Sequence, residues 1–227
     1  MRKRLYDCSF FLGSSILVVL VLGMILLMYD KAQVHLWLNA YHTPFLDTCF
    51  RYYTIVGEWI PYVVVLGLLW YKAGWACFLL TSLITSGLLG QLFKHLLVAP
   101  RPITYFATYY PDVQLPLVKG VEMAKSLSFP SGHTISFFAL FLTLCLLVSN
   151  LPVKRYVARM AETLFFCLAI LGAYSRIYLS QHFAFDIVGG MVIGIATTLL
   201  LTFCLDKVQN SPFFDWNLRF LCKKNKK

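Results

Sequence analysis

Three short stretches of this sequence hold side chains suited to gripping and attacking an anion. In the first, Lys94 and Arg101 are seven residues apart, with Pro100 and Pro102 flanking the arginine. Seven residues is about two helical turns, so the two cations can share a face, although the prolines are expected to break a helix before Arg101. An ammonium and a guanidinium converging near a membrane surface suit a phosphate, the arginine as a bidentate fork and the lysine as a point charge. In the second, Pro130-Ser131-Gly132-His133 reads as a helix start. Ser131 is a good N-cap, and Gly132 leaves the first N–H groups unshielded at the positive end of the helix dipole, an arrangement that binds anions. His133, on the first turn, would stand beside that anion. In the third, Ser175 and Arg176 are followed by His182 and Asp186. Their spacing of four would bring imidazole and carboxylate together on one helical face. A carboxylate on one ring nitrogen fixes the tautomer and makes the other nitrogen more basic, as a nucleophile or general base requires. Arg176 is close enough along the chain to fold onto the same anion.

Each stretch taken alone also fits a plainer role. Lys94 and Arg101 suit snorkelling anchors at a membrane interface, the Pro-Ser-Gly-His segment suits an ordinary helix start, and His182 with Asp186 suits a buried polar pair that satisfies itself. Together, three cations, two histidines, a carboxylate and a helix N-terminus on one side point to chemistry on an anion. Other phosphotransfer designs are absent from the sequence: it has no Cys-x5-Arg loop, no Asp-x-Asp pair and no Walker glycine loop. No metal-type Cys/His spacing is present either.

The elements that must position these residues follow from composition. Of 227 residues, 59% are apolar and 13% charged, with a net charge of +10 and a mean hydropathy of +0.70. Soluble domains carry about 25% charged residues, so a soluble globular protein is excluded and the solvent must be a bilayer. Apolar runs long enough to cross about 30 Å of hydrocarbon fall at 8–28, 55–71, 75–93, 134–150, 161–178 and 183–205. The reading is an all-α, polytopic membrane protein: a bundle of six transmembrane helices forming a single unit over 1–227, with the motif core at 94–186 and the active site at the outer membrane face. The first run lacks a small-x-small cleavage signature and is expected to be a retained helix.

Thirteen of the twenty basic residues fall on one side of this topology and seven on the other, which places both termini in the cytoplasm. The positive charge is thereby read as topology and attraction to anionic lipid rather than nucleic-acid binding. Only Cys49 of the seven cysteines faces outward, so no disulfide is expected. Ser82, Ser86 and Gly90, and Gly190 with Gly194, recur every fourth residue and mark close helix contacts. The long connection 103–129, with Tyr105, Tyr109, Tyr110, Lys119 and Lys125, is a candidate for headgroup selection or a structural aromatic belt.

The three stretches resemble the signature of the type 2 phosphatidic acid phosphatase superfamily, the membrane lipid phosphate phosphatases: K-x6-R-P, P-S-G-H and S-R-x5-H-x3-D. Every defining position is matched between Lys94 and Asp186. The resemblance implies a metal-independent phosphatase without cofactors, acting through a phosphohistidine intermediate. His182 would be the nucleophile, Asp186 its orienting carboxylate and His133 the general acid and later base. Lys94, Arg101, Ser131, the Gly132 amide and Arg176 would hold the phosphoryl oxygens, with Ser175 a secondary contact. It also implies a bacterial cell envelope, an inner-membrane location with the site on the periplasmic or extracellular side, and a membrane lipid phosphate as partner. Undecaprenyl diphosphate ranks first on generality, with a lipid A phosphate and phosphatidylglycerol phosphate as alternatives. A non-catalytic protein that binds or moves phospholipids is the competing class, and the oligomeric state is not legible.

Overall fold

Long apolar runs in a medium without water must satisfy their own backbone, and they do so as helices. The computed structural model describes Tyr6 and residues 8–208, with side chains to 204. The basic ending and Cys222 lie outside the described residues. Among the described residues eight helices are seen: α1 Ser9–Met28, α2 Lys31–Leu38, α3 Pro44–Tyr71, α4 Ala73–Leu97, α5 Pro102–Tyr109, α6 Gly132–Ser149, α7 Arg155–Tyr178 and α8 Ala184–Val208. Six of these, α1, α3, α4, α6, α7 and α8, are the cores of six candidate membrane spans, as the hydropathy reading expects.

The differences lie at helix ends. The second span was expected from 55, but α3 begins at Pro44, where Thr43 accepts a hydrogen bond from Leu46 N and proline occupies the first turn. Its first turns carry Asp47 and Arg51, which lower the hydropathy without disfavouring a helix. The two short helices, α2 and α5, arise inside connections. Asp30 caps α2 through Ala32 N, and Pro102 opens α5. As the prolines imply, α4 stops at Leu97, with Val98 left-handed at φ 41°.

α6 is the most buried span and α1 the least. Around α6 pack α8, α7 and α4, with α3 also in contact. Phe137, Phe138, Phe141, Leu142 and Leu146 fill the core. Lipid is as apolar as these side chains, so close packing rather than exclusion from water must hold the helices together. The small residues do this. The Phe137 ring lies where a Cβ on Gly57 of α3 or Gly172 of α7 would be. Along α8, a Cβ on Gly190 would stand 2.8 Å from the Ser131 carbonyl oxygen and one on Gly194 2.7 Å from that of Ile135, so α6 and α8 touch backbone to backbone. Ser82, Ser86 and Gly90 are buried on α4, and Ser82 shares a 2.7 Å hydrogen bond with Thr198 of α8.

Gly194→Ala is therefore expected to lower stability by about 1–3 kcal/mol through overpacking against an immovable backbone. Gly13→Ala on α1, where an added Cβ meets nothing within 4 Å, provides the control. Thermal unfolding in detergent should show a lower Tm for the first variant and not for the second.

Candidate active site

One end of the bundle gathers the three motif stretches. α4 delivers Lys94 in its last turn, the N-terminus of α6 delivers Ser131, Gly132 and His133, and the end of α7 delivers Arg176. Arg101 stands at the cap of α5. Lys94, Arg101, Arg176, His133, His182 and Asp186 lie close enough for their charges to act on one another. A Cβ on Gly132 would be 3.8 Å from the Lys94 ammonium, which puts that cation at the start of α6.

His182 and Asp186 meet, but not across a helical face. His182 lies outside α8, which begins at Ala184. Asp186 sits in the first turn, and its carboxylate reaches back to accept from Phe183 N at 2.9 Å, in the manner of the acidic partner of a capping box. The same oxygen accepts from Ser128 Oγ at 2.5 Å and lies 3.4 Å from His182 Nδ1. Facing an acceptor, Nδ1 carries the ring proton and leaves the Nε2 lone pair free. The Asp186 carbonyl accepts from Ser131 N at 3.0 Å, so one residue joins the starts of α6 and α8. Burial holds His182 well below the usual histidine range, at about 4, with Asp186 pulling the other way; the imidazole is neutral at neutral pH.

Of the three cations, Arg101 is fixed by oxygen acceptors. Arg101 donates to the Gln181 side-chain oxygen at 2.8 Å and carbonyl at 3.3 Å, and to the Ser126 carbonyl at 3.1 Å. The Arg176 carbonyl accepts from Gln181 N and His182 N, which ties the guanidinium's own backbone to the histidine loop. Two buried polar atoms have no partner here, Arg176 Nε and His133 Nε2. Ser131 Oγ accepts from Thr134 N and Thr134 Oγ1, so its oxygen is engaged in capping α6 while its O–H remains a donor. Ser175 is used structurally: it donates to the Gly172 carbonyl and meets Thr54 Oγ1 of α3 at 3.1 Å.

Three further groups support the site from outside the defining positions of the motif. Ser128 and Gln181 have been described. His35 of α2 is fully buried behind Phe183, with ring centroids 5.3 Å apart, and its Nε2 is 3.4 Å from Ser180 Oγ. In the 103–129 connection, Tyr105 packs on Phe183 and under the Lys31 ammonium, while Lys125 and Lys119 contribute backbone carbonyls to Arg101 N and to Arg51.

A six-span bundle with a cationic, histidine-lined pocket at one end defines an anion-handling membrane protein. The model of the PAP2 superfamily matches residues 75–209, and the chain belongs to this superfamily of membrane lipid phosphatases, as the three stretches imply. It is 29% identical over 146 residues to phosphatidylglycerophosphatase B of Bacillus subtilis (strain 168), an alignment covering 63% of this chain and 65% of the relative, just under two thirds of its length. Among solved structures it is similar to a transmembrane PAP2 type phosphatidylglycerolphosphate phosphatase from Bacillus subtilis, with 22% identity, a TM-score of 0.63, and coverage of 93% of this chain and 100% of the other. It is also similar to LpxE of Aquifex aeolicus, with 23% identity, a TM-score of 0.61 and coverage of 74% and 92%. These two likenesses establish a shared fold.

His35, like His182, is lowered to about 4 by burial. Both fall below the value near 6.5 of an unfolded histidine, so between those limits the unfolded chain binds more protons. Their contribution to stability is complete above pH 6.5 and is lost as pH falls towards 4. The Tm in detergent should drop across this window, with a shallower drop in His182→Gln.

Proposed function

We propose that the protein dephosphorylates a lipid-linked phosphate at the outer face of the cytoplasmic membrane. The observation that carries this reading is the joint placement of a neutral, carboxylate-oriented His182 and an unpartnered His133 nitrogen beside three cations and a helix N-terminus. A protein that only bound phospholipid would need the cations and the helix start but not the two histidines in these roles.

In this mechanism His182 Nε2 attacks phosphorus in line. The N–P bond forms, the P–O bond to the alcohol breaks, and His133, which enters this step as an imidazolium beside the phosphate dianion, gives its proton to the departing oxygen. Asp186 holds the Nδ1 proton and offsets the positive charge that develops on the phosphorylated ring. His133 then takes a proton from water, whose oxygen attacks phosphorus and breaks the N–P bond, returning His182 neutral and releasing inorganic phosphate. Lys94, Arg101, Arg176, the Ser131 hydroxyl and the Gly132 amide hold the phosphoryl oxygens, the positioning and charge stabilisation that phosphoryl transfer mainly requires.

Undecaprenyl diphosphate, a lipid A phosphate and phosphatidylglycerol phosphate are the headgroups the sequence leaves open. The names of the Bacillus relatives favour phosphatidylglycerol phosphate as the first to try. Orientation rests on the charge count. Lys72, Lys154, Arg155 and Arg159 lie at the end of the bundle opposite the site, which by the positive-inside rule is the cytoplasmic one.

Purified protein with EDTA should release phosphate from phosphatidylglycerol phosphate. His182→Ala should lower kcat by about a thousandfold or more and Asp186→Asn by roughly a hundredfold or more. Acid-labile radiolabel should be trapped on the wild-type chain and not on His182→Ala. Unchanged release by His182→Ala overturns the mechanism. For orientation, an impermeant maleimide applied to intact cells should label Cys49, exposed near the site end, and spare Cys77, exposed towards the other.

A further inference from the structure

A cavity of about 210 Å³ opens between α3, α4 and α6, lined by Lys94, Gly132 and His133 together with Glu58, Tyr62 and Gln91. His182 is not among its lining residues. In-line attack places the leaving group opposite the nucleophile, so on the mechanism above the alcohol departs on the His133 side, into this cavity. The side chains waiting there are polar. Gln91 offers both donor and acceptor, Tyr62 a hydroxyl, and Glu58 a carboxylate that only accepts when ionised.

Glu58 is out of place by ordinary membrane rules. It lies fourteen residues into a helix whose neighbouring exposed positions are Ile55, Val56, Trp59, Tyr62 and Val63, and it is itself exposed. It makes no hydrogen bond or ion pair within 4 Å with another described residue, though its charge acts on the buried Arg176 guanidinium. An unpaired acid within a span is costly and marks a functional position. The adjoining floor is kept open by Gly87, where an added Cβ would meet nothing within 4 Å.

We propose that Glu58, with Gln91 and Tyr62, determines specificity by reading the alcohol side of the substrate, selecting phosphomonoesters whose alcohol carries hydroxyl groups next to the phosphate. This rests on the phosphatase reading above and deepens it. A glycerol or sugar hydroxyl donates to the carboxylate in a charge-assisted hydrogen bond. A polyprenyl diphosphate instead brings a second phosphate, in the leaving group, towards a like charge in a poorly screened cavity. Diacylglycerol, the alcohol of phosphatidic acid, brings no donor.

The test compares kcat/KM for phosphatidylglycerol phosphate, a glycolipid phosphomonoester whose sugar has a free hydroxyl beside the phosphate, phosphatidic acid and undecaprenyl diphosphate in detergent, using the full chain and two variants. Because Glu58 is exposed, replacing it removes no buried contact, and an unchanged Tm checks the fold. Glu58→Leu should lower the ratio of hydroxylated substrate to phosphatidic acid about tenfold or more. Glu58→Gln, which keeps the shape and removes the charge, should raise undecaprenyl diphosphate relative to phosphatidylglycerol phosphate by a similar factor. A shift confined to the glycerol or to the sugar substrate supports the assignment and names the source of the hydroxyl. Ratios within twofold of wild type, or an equal loss on all four substrates, overturn the role of Glu58 while leaving the phosphatase reading intact. Wild-type protein inert towards all four overturns both.

Discussion

The architecture of the site depends on what Asp186 does at the start of α8. One carboxylate oxygen faces His182 Nδ1 and accepts from Ser128 Oγ and Phe183 N, while the backbone carbonyl of the same residue accepts from Ser131 N. A single residue thus terminates one helix, aims the histidine and ties down the first residue before another helix. Helix N-termini have N–H groups without intrahelical partners. Here two such termini are brought side by side, one satisfied by Asp186 and the other left to present its amides beside Lys94.

That juxtaposition is possible only because α6 and α8 approach so closely. Gly190 lies against the carbonyl of Ser131, the residue bonded to Asp186, and Gly194 lies against Ile135 one turn further. The packing constraint and the chemical one are therefore continuous. A side chain at Gly190 would push apart the two helix starts that make the site. Phe129, packed at the position of a Gly189 side chain and stacked on Phe185, holds the approach to α6 on the same surface. In lipid, with no hydrophobic driving force between helices, this contact has to be won by shape.

The sequence showed the spans because apolar runs are forced by the bilayer, and it marked eight candidate site residues by their types and spacings. What it hid has physical causes. α3 reaches eleven residues beyond its expected start because Asp47 and Arg51 dilute its hydropathy, although Thr43 and Pro44 signal a helix start. The His182–Asp186 contact was expected from helical periodicity and arises instead from a cap, since both geometries bring residues four apart together. Ser128 and Gln181 hold Asp186 and Arg101 through loop conformation, which has no period. His35 is distant in sequence and reaches the site only because α2 folds against Phe183. Glu58 was visible as a charge in an apolar run, but only its position in the His133 cavity gives it something to read.

Buried charge sets the remaining constraint. Arg176 and Asp186 are 5% and 3% exposed, at a depth where an isolated ion is expensive. Around the proposed phosphate position, Lys94, Arg101 and Arg176 outnumber the carboxylates of Asp186 and Glu58, the latter also acting on Arg176, and burial keeps His182 from adding a further positive charge at neutral pH. This positive surplus suits a phosphomonoester dianion. Were His182 protonated, the surplus would grow and the lone pair of the proposed nucleophile would be lost together. The burial that would make the pocket attractive to phosphate is thus the same burial that keeps His182, the proposed nucleophile, unprotonated, while Asp186 pulls the other way and orients the ring.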